Sequence, residues 1–262
     1  MSMTQNRHTT QLVRDMMDEK RLYGDEAALR GNPSFVWRAG QERRLRMVRE
    51  AVALEGKRML DLGCGVGMYT SAFATLGARA FGVEVEFDRA LAARNLVDPI
   101  SQGVGEALPF CDDSFDVVFS HEVLEHVVAD RVCAAEMVRV ARPGGHIIIF
   151  VPNRRYFFET HGIYWRGKYH FGNKPFVNWL PDQLRVRLAP HVRAYTGRAL
   201  RHLFADQPVR TLIHTLIYPG YDNIVAHRPR LGHALKAVTY ALEHTPLRAM
   251  GLSHFLVLQV TG

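Results

Sequence analysis

Cysteine, long apolar runs and dense runs of basic charge are all scarce in this 262-residue sequence, and each scarcity excludes a class of protein. Cys64, Cys111 and Cys133 form an odd set without metal-ligand spacing. That excludes a disulfide framework and leaves reduced thiols as the expectation. No stretch approaches the roughly 18 apolar residues of a membrane span, and Met1-Ser2-Met3-Thr4-Gln5-Asn6-Arg7-His8 opens no apolar leader. A soluble, cytoplasmic protein is expected. Internal repeats and low-complexity tracts are lacking too. Acidic residues are sparse in one part of the chain only: residues 152–262 carry 15 Lys/Arg against 5 Asp/Glu, whereas residues 1–151 carry 18 against 21. The second part, which also holds nine of the thirteen histidines, reads either as a surface that draws anionic partners or as a solvated basic face that serves solubility.

What is present is concentrated in Met59-Leu-Asp-Leu-Gly-Cys-Gly-Val-Gly-Met-Tyr-Thr70. An apolar run ends in Asp61, Gly63, Gly65 and Gly67 crowd into five positions, and helix-compatible residues follow. This is a strand, a tight turn and a helix start, with Cβ atoms removed where the backbone bends and where a ligand lies against it. A dinucleotide site is the obvious rival, but its Gly-x-Gly-x-x-Gly spacing requires glycine where Met68 stands. Asp61 would repel a pyrophosphate and suits a ligand with a cationic end, such as the amino group of an amino acid.

Along the chain, strands and helices alternate. Strands are expected near 58–62, 79–84, 100–104, 115–120 and 146–151; helices are expected at about 10–29, 40–54, 67–76, 88–96 and 128–140. Pro143-Gly144-Gly145 is expected to stop the last helix and turn the chain. Such alternation with short links implies a parallel sheet with helices on both faces, and ligands bind beyond the carboxyl ends of its strands. Asp61, Glu84, Glu106 and His121 all fall at or just past such ends. Residues 152–200 hold ten aromatics interleaved with Arg154, Arg155, Arg166, Lys168 and Lys174. This segment reads either as a cap lining an acceptor pocket under Tyr164, Trp165 and Phe171 or as a cover for an apolar sheet edge. Further strands are expected at 209–218 and 254–260, around a helix at 231–243.

The glycine turn resembles motif I of the class I S-adenosylmethionine-dependent methyltransferases, and four more segments support the likeness. Glu84 closes Ala80-Phe81-Gly82-Val83, at the spacing of a carboxylate that chelates two ribose hydroxyls. Glu106-Ala107-Leu108-Pro109-Phe110, then Asp112 to Val118, His121-Glu122-Val123-Leu124-Glu125-His126 and Arg142-Pro143-Gly144-Gly145-His146 are similar to the small-molecule branch that contains the ubiquinone and menaquinone methylases. The likeness covers about residues 57–153. It implies an α/β fold with a doubly wound, mostly parallel, seven-stranded Rossmann-like sheet. It also implies S-adenosylmethionine as cofactor, held by Asp61, Gly63, Cys64, Gly65, Gly67, Glu84, Val85, Gly105, Glu106, Ser120 and His121. At position 104, where that branch commonly has an acidic adenine contact, this chain has Val104, so Glu106 or the backbone near Gly105 takes that role. The implied division is 1–56 as N-terminal helices and a possible lid, 57–153 as the cofactor core, 154–205 as the cap insertion and 206–262 as the closing strands and helix of the same sheet. Tyr23 and Trp37 are candidate lid residues, with packing on the core as the competing role.

A sulfonium is already an activated leaving group, so positioning and desolvation supply most of the acceleration. A hydroxyl acceptor would still need a base, for which His121 is the first candidate, followed by His126, His161 and His170. No metal is expected: His121 and His126 are five apart, not the four of His-Glu-x-x-His. Nucleic acid is disfavoured, because an Asn/Asp-Pro-Pro-aromatic turn is missing where Ser120-His121-Glu122-Val123 stands. The expected activity is therefore methyl transfer to oxygen of a small or lipid-like acceptor, both apolar and anionic, with membrane-surface contact as a weaker possibility. Transfer to carbon or nitrogen, RNA methylation, or cofactor binding without catalysis are the alternatives.

Overall fold

A computed structural model describes residues 37–261. The expected helix at 10–29, with Tyr23, lies outside them. Helix α1 (Ala39–Ala51) leads into β1 (Arg58–Leu62), α2 (Met68–Thr75), β2 (Arg79–Glu84), α3 (Phe87–Arg94), β3 (Ile100–Gln102), β4 (Phe115–His121), α4 (Asp130–Val140) and β5 (Ala141–Pro152). An insertion follows, with short strands β6 (Phe158–Glu159), β7 (Ile163–Trp165), β8 (Lys168–His170) and β9 (Lys174–Pro175) and helices α5 (Asp182–Leu188) and α6 (Gly197–His202). Strand β10 (Val209–Ile217), helices α7 (Asp222–His227) and α8 (Pro229–Leu242) and strand β11 (Ser253–Val260) complete it.

The principal sheet has seven strands in the order β10-β11-β5-β4-β1-β2-β3. Strands β1 to β5 pair in parallel, and β11 runs antiparallel to both its neighbours. The doubly wound, mostly parallel sheet implied by the sequence is thus the one observed. Its central strands read as unbroken apolar runs because both faces are covered. Side chains alternate across the sheet, so neighbouring residues feed different cores. Ile147, Ile149, Val118 and Leu256 enter a core with Met137 and Val140 of α4. Ile148, Phe150, Phe119 and Phe255 enter another with Leu45 and Val48 of α1 and Phe73 of α2. Each such side chain, fully removed from water, contributes about 1.5–3 kcal/mol.

Two expectations need correction. Pro143-Gly144-Gly145 does not follow the helix as a separate turn: α4 stops at Val140, Ala141 already pairs with Phe115, and the next pair is Val117 with His146. Residues 142–145 therefore bulge out of the ladder, where Gly144 supplies a φ of 78°. In the insertion, Tyr164 and Tyr169 face each other across the β7–β8 hairpin and pack on His191. Trp165 is the next residue along β7, on the opposite face, and is 56% exposed; Phe171 is 61% exposed. The period of two along a strand turns Trp165 away from the tyrosine face, so Trp165 and Phe171 do not form the enclosed roof expected of them.

Candidate active site

Strand β1 delivers Asp61 to the carboxyl edge of the sheet, and the chain then turns through Gly63, Gly65 and Gly67 with φ values of 71°, 56° and 84°. L-residues avoid that region, which is why this turn needs three glycines. A Cβ on Gly63 would lie 2.4 Å from Val123 Cγ2, and one on Gly67 would lie 3.0 Å from the Ala93 Cβ; around Gly65 nothing lies within 4 Å. Gly63 and Gly67 thus serve packing, whereas the space at Gly65 is open to a ligand. Gly63→Ala should lower stability by roughly 1–3 kcal/mol through backbone strain alone, read as a lowered midpoint in urea unfolding. An unchanged midpoint would refute that packing role.

Asp61 is buried and accepts a hydrogen bond from Thr70 Oγ1 at 2.6 Å. Burial first, and the Glu84 charge after it, push its carboxyl up to about 7 against the pull of Thr70. A buried carboxyl near the point of ionisation is stabilised in its charged form by a cationic ligand. Glu84, at the end of β2, accepts from Gly65 N–H at 2.8 Å, Val85 N–H at 3.0 Å and Glu86 N–H at 3.1 Å. It therefore braces the glycine turn it faces. Val85 is half exposed beside it. The Cys64 side chain packs below the turn against Ala90, Ala93 and Ile100, so only its backbone faces the ligand side.

Gly105 sits where a Cβ would meet Cys133 Sγ at 2.7 Å. Glu106 is buried, and its Oε1 accepts from Val128 N–H at 2.7 Å and Ala129 N–H at 3.1 Å. That oxygen is thus committed to the start of α4, where a carboxylate is favoured by the free amides and the helix dipole, and is not turned to an adenine.

At the end of β4, Ser120 is buried and His121 is half-buried, and the buried atoms Ser120 Oγ and His121 Nε2 have no hydrogen-bond partner. His121 packs 5.1 Å from the Tyr69 ring, 6.2 Å from Phe119 and 5.7 Å from Phe150. Burial, with Arg44 adding to it, lowers its pKa to about 3. It is therefore a neutral ring at neutral pH. Tyr69 Oη and Arg44 Nε, also buried, lack partners too, and Arg44 lies 5.8 Å over Phe150. Buried polar atoms are normally satisfied, so this group of orphaned atoms leaves several hydrogen-bonding positions around His121 unmatched. Trp37 packs 5.1 Å from Tyr69, with its Nε1 donating to Glu42 Oε2 at 2.9 Å. Arg44 and Tyr69 were missed in the sequence. Tyr69 lies inside the glycine motif and was within reach, but nothing local distinguishes Arg44 from Arg43 or Arg46.

Beyond His121 the backbone turns through Glu122 at a φ of 56°. The insertion pins this turn: Arg193 N–H donates to Glu125 O at 3.0 Å, Arg193 Nη2 to Val128 O at 2.8 Å, and Tyr195 Oη to Leu124 O at 2.9 Å. His126 and His161 are brought together, their rings 5.1 Å apart. His121 does not join them, its ring packing instead on Tyr69, Phe119 and Phe150, and His170 is exposed. Glu125 is fully buried; burial and the Glu122 charge push its carboxyl well above the usual range, while Glu122 keeps its charge.

A protein-family model described as a methyltransferase domain matches residues 60–149. An uncharacterized methyltransferase of Mycobacteroides abscessus is 43% identical over 107 residues, which is 38% of this chain and 41% of that protein. A chloroplastic probable tocopherol O-methyltransferase of Oryza sativa subsp. japonica is 38% identical over 123 residues, 40% of this chain and 34% of that protein. The aligned region thus spans less than half the length of these curated relatives. The crystal structure of an S-adenosylmethionine-dependent methyltransferase from Mesorhizobium loti superposes with a TM-score of 0.60 at 17% identity, covering 84% of this chain and 98% of that one; it carries the likeness of fold. No helix among the described residues is long and apolar enough to cross a membrane. Taken with the glycine cradle between Asp61 and Glu84 and the strand order of the sheet, these matches make residues 60–149 similar to a methyltransferase domain, set in a fold shared with S-adenosylmethionine-dependent methyltransferases.

Proposed function

We propose that the protein transfers the methyl group of S-adenosylmethionine to an oxygen of a small or lipid-like acceptor that is apolar and bears a negative charge. The observation that carries this reading is the open cradle at Gly65, flanked by the half-ionised Asp61 and by Glu84 and adjoining the orphaned polar atoms around His121. When bound, the cofactor supplies a methyl carbon on a positively charged sulfur, a leaving group that departs as a neutral thioether. Asp61 would hold the amino group of its methionine portion. Glu84 would face its ribose hydroxyls, with Val85 beside it, and the backbone around Gly63, Cys64, Gly65 and Gly67 would lie along it. Gly105 and Ser120 would border its base and the reacting end; Glu106 would shape that wall by fixing α4.

The remaining work is positioning and exclusion of water. His121, Tyr69 and Phe150 provide an aromatic wall, and aligning two reactants in such a chamber accounts for several kcal/mol of the barrier. His121 is reassigned from general base to wall: a ring whose pKa lies near 3 binds protons too weakly to draw one from a hydroxyl. An acceptor that arrives as a carboxylate or phenolate needs no base, and Arg44, whose Nε lacks a partner, supplies the matching charge.

Two measurements test the proposal. Calorimetry with S-adenosylmethionine and with its demethylated product should give saturable heat for both. Incubation with methyl-labelled cofactor and a cell extract should then move label into organic-soluble small molecules. Label in RNA or protein only would overturn the acceptor assignment, and binding without any transfer would leave a cofactor-binding protein that is not an enzyme.

A further inference from the structure

A second constellation lies just past β4, on residues the cofactor cradle does not use. We propose that Glu125, His126 and His161 bind one divalent first-row transition-metal cation of the zinc class. A carboxylate oxygen of Glu125 and one ring nitrogen of each histidine all lie within 4.8 Å of one another. Metal–ligand bonds of about 2.1 Å place ligands roughly 3–4 Å apart, so modest side-chain rotation closes the site.

Three further observations point the same way. Glu125 is fully buried, and among the described residues no amide, hydroxyl or basic group of another residue donates to its carboxylate oxygens; the one hydrogen bond it shares with a neighbour is with the Glu122 carboxyl. Two carboxyls so placed cannot both ionise without cost, and a cation removes that cost. His161 Nδ1 lies 3.1 Å from Glu159 Oε1. A proton on Nδ1 donated to that carboxylate leaves the Nε2 lone pair facing the cluster, as metal-bound histidines are commonly oriented. Glu159 is itself held by Arg185 Nη2 at 2.6 Å, which in turn donates from Nε to Asn178 Oδ1 at 3.1 Å. Finally, Glu122 Oε2 stands 3.9 Å from His161 Nε2 and adds negative charge at the rim.

Two imidazoles and a carboxylate suit zinc, iron(II), manganese or nickel better than calcium or magnesium, which favour all-oxygen sites. The expectation of no metal rested on the spacing of His121 and His126, and that argument stands for that pair. The second imidazole comes instead from the insertion, 35 positions after His126. Three protein ligands leave at least one coordination position for an outside atom.

The test is zinc titration of the chelator-treated full chain by calorimetry, with the affinity for S-adenosylhomocysteine measured on the same samples. About one zinc per chain should bind. His126→Ala and His161→Ala should each weaken zinc by more than the roughly 10–100-fold that loss of an outer-sphere partner costs, with S-adenosylhomocysteine affinity kept. If a histidine variant loses S-adenosylhomocysteine binding as well, the near-isosteric Glu125→Gln replaces it as the reporter and should show the same selective loss. Absence of saturable zinc binding by the wild-type chain, or wild-type zinc affinity in variants that still bind S-adenosylhomocysteine, overturns the site. A wild-type chain that takes up zinc but not S-adenosylhomocysteine upholds the metal site and rejects the methyl-transfer reading.

Discussion

Gly65→Val should abolish binding of S-adenosylmethionine while the protein stays folded. A Cβ at position 65 meets no protein atom within 4 Å, so the branched side chain grows into the space the proposed cofactor fills. The backbone there has a φ of 56°, so valine also adds roughly 1–3 kcal/mol of strain, less than the 5–15 kcal/mol that stabilises a typical domain. Calorimetry should therefore show no heat with the cofactor, and circular dichroism should show a cooperative unfolding transition at a lowered midpoint. Gly65→Ala serves as the milder comparison, with intermediate affinity. Wild-type affinity in the valine variant would remove the cradle from the site.

Asp61→Asn should weaken cofactor binding by about 10–100-fold, the worth of one charge-assisted hydrogen bond, and should stabilise the free protein. The sign follows from the raised carboxyl. In the fold Asp61 titrates at about 7, whereas in the unfolded chain it titrates near its ordinary value of about 3.9. Between these values the folded state binds more protons. Asp61 therefore favours folding at low pH, and that contribution is lost as pH rises through 7. Asparagine keeps a partner for Thr70 without the buried charge, so its advantage should grow between pH 4 and 7 and then level off. Each kcal/mol relieved should raise the thermal midpoint by roughly 2–4 °C. Cofactor affinity of the wild-type chain should fall as pH drops below 7, because a protonated carboxyl offers no charge to the ammonium group. Equal stability of the two proteins at pH 8, or pH-independent affinity between 6 and 8, would contradict the assignment.

Opposed effects of one side chain on stability and binding are expected where a site stores cost for a ligand. Glu84 illustrates a different arrangement. Its two oxygens already accept three backbone N–H groups, so the carboxylate shapes the glycine turn before any ligand arrives. The sequence identified both acids from spacing alone. It did not distinguish the poised one from the satisfied one, because that difference depends on burial and on neighbours distant along the chain.

Legibility followed the range of the interactions involved. The alternation of apolar runs with helical segments, the φ > 0 positions at Gly63, Gly65 and Gly67, and the acids ending β1 and β2 are local properties, and the amino-acid order by itself determined them together with the mostly parallel sheet. Hydrophobic period and turn chemistry act over a few residues, so they survive in one dimension. Tertiary structure alone decided the rest. It packed His121 among Tyr69, Phe119 and Phe150 and so lowered the pKa of this candidate base to about 3. It drew Glu106 to the start of α4, turned Trp165 outward, and set Arg44 beside Phe150. It also joined His126 to His161, across an insertion whose fold no periodicity announces. Desolvation and cross-chain proximity govern protonation and ligation, and both depend on distances in space that residue spacing does not encode.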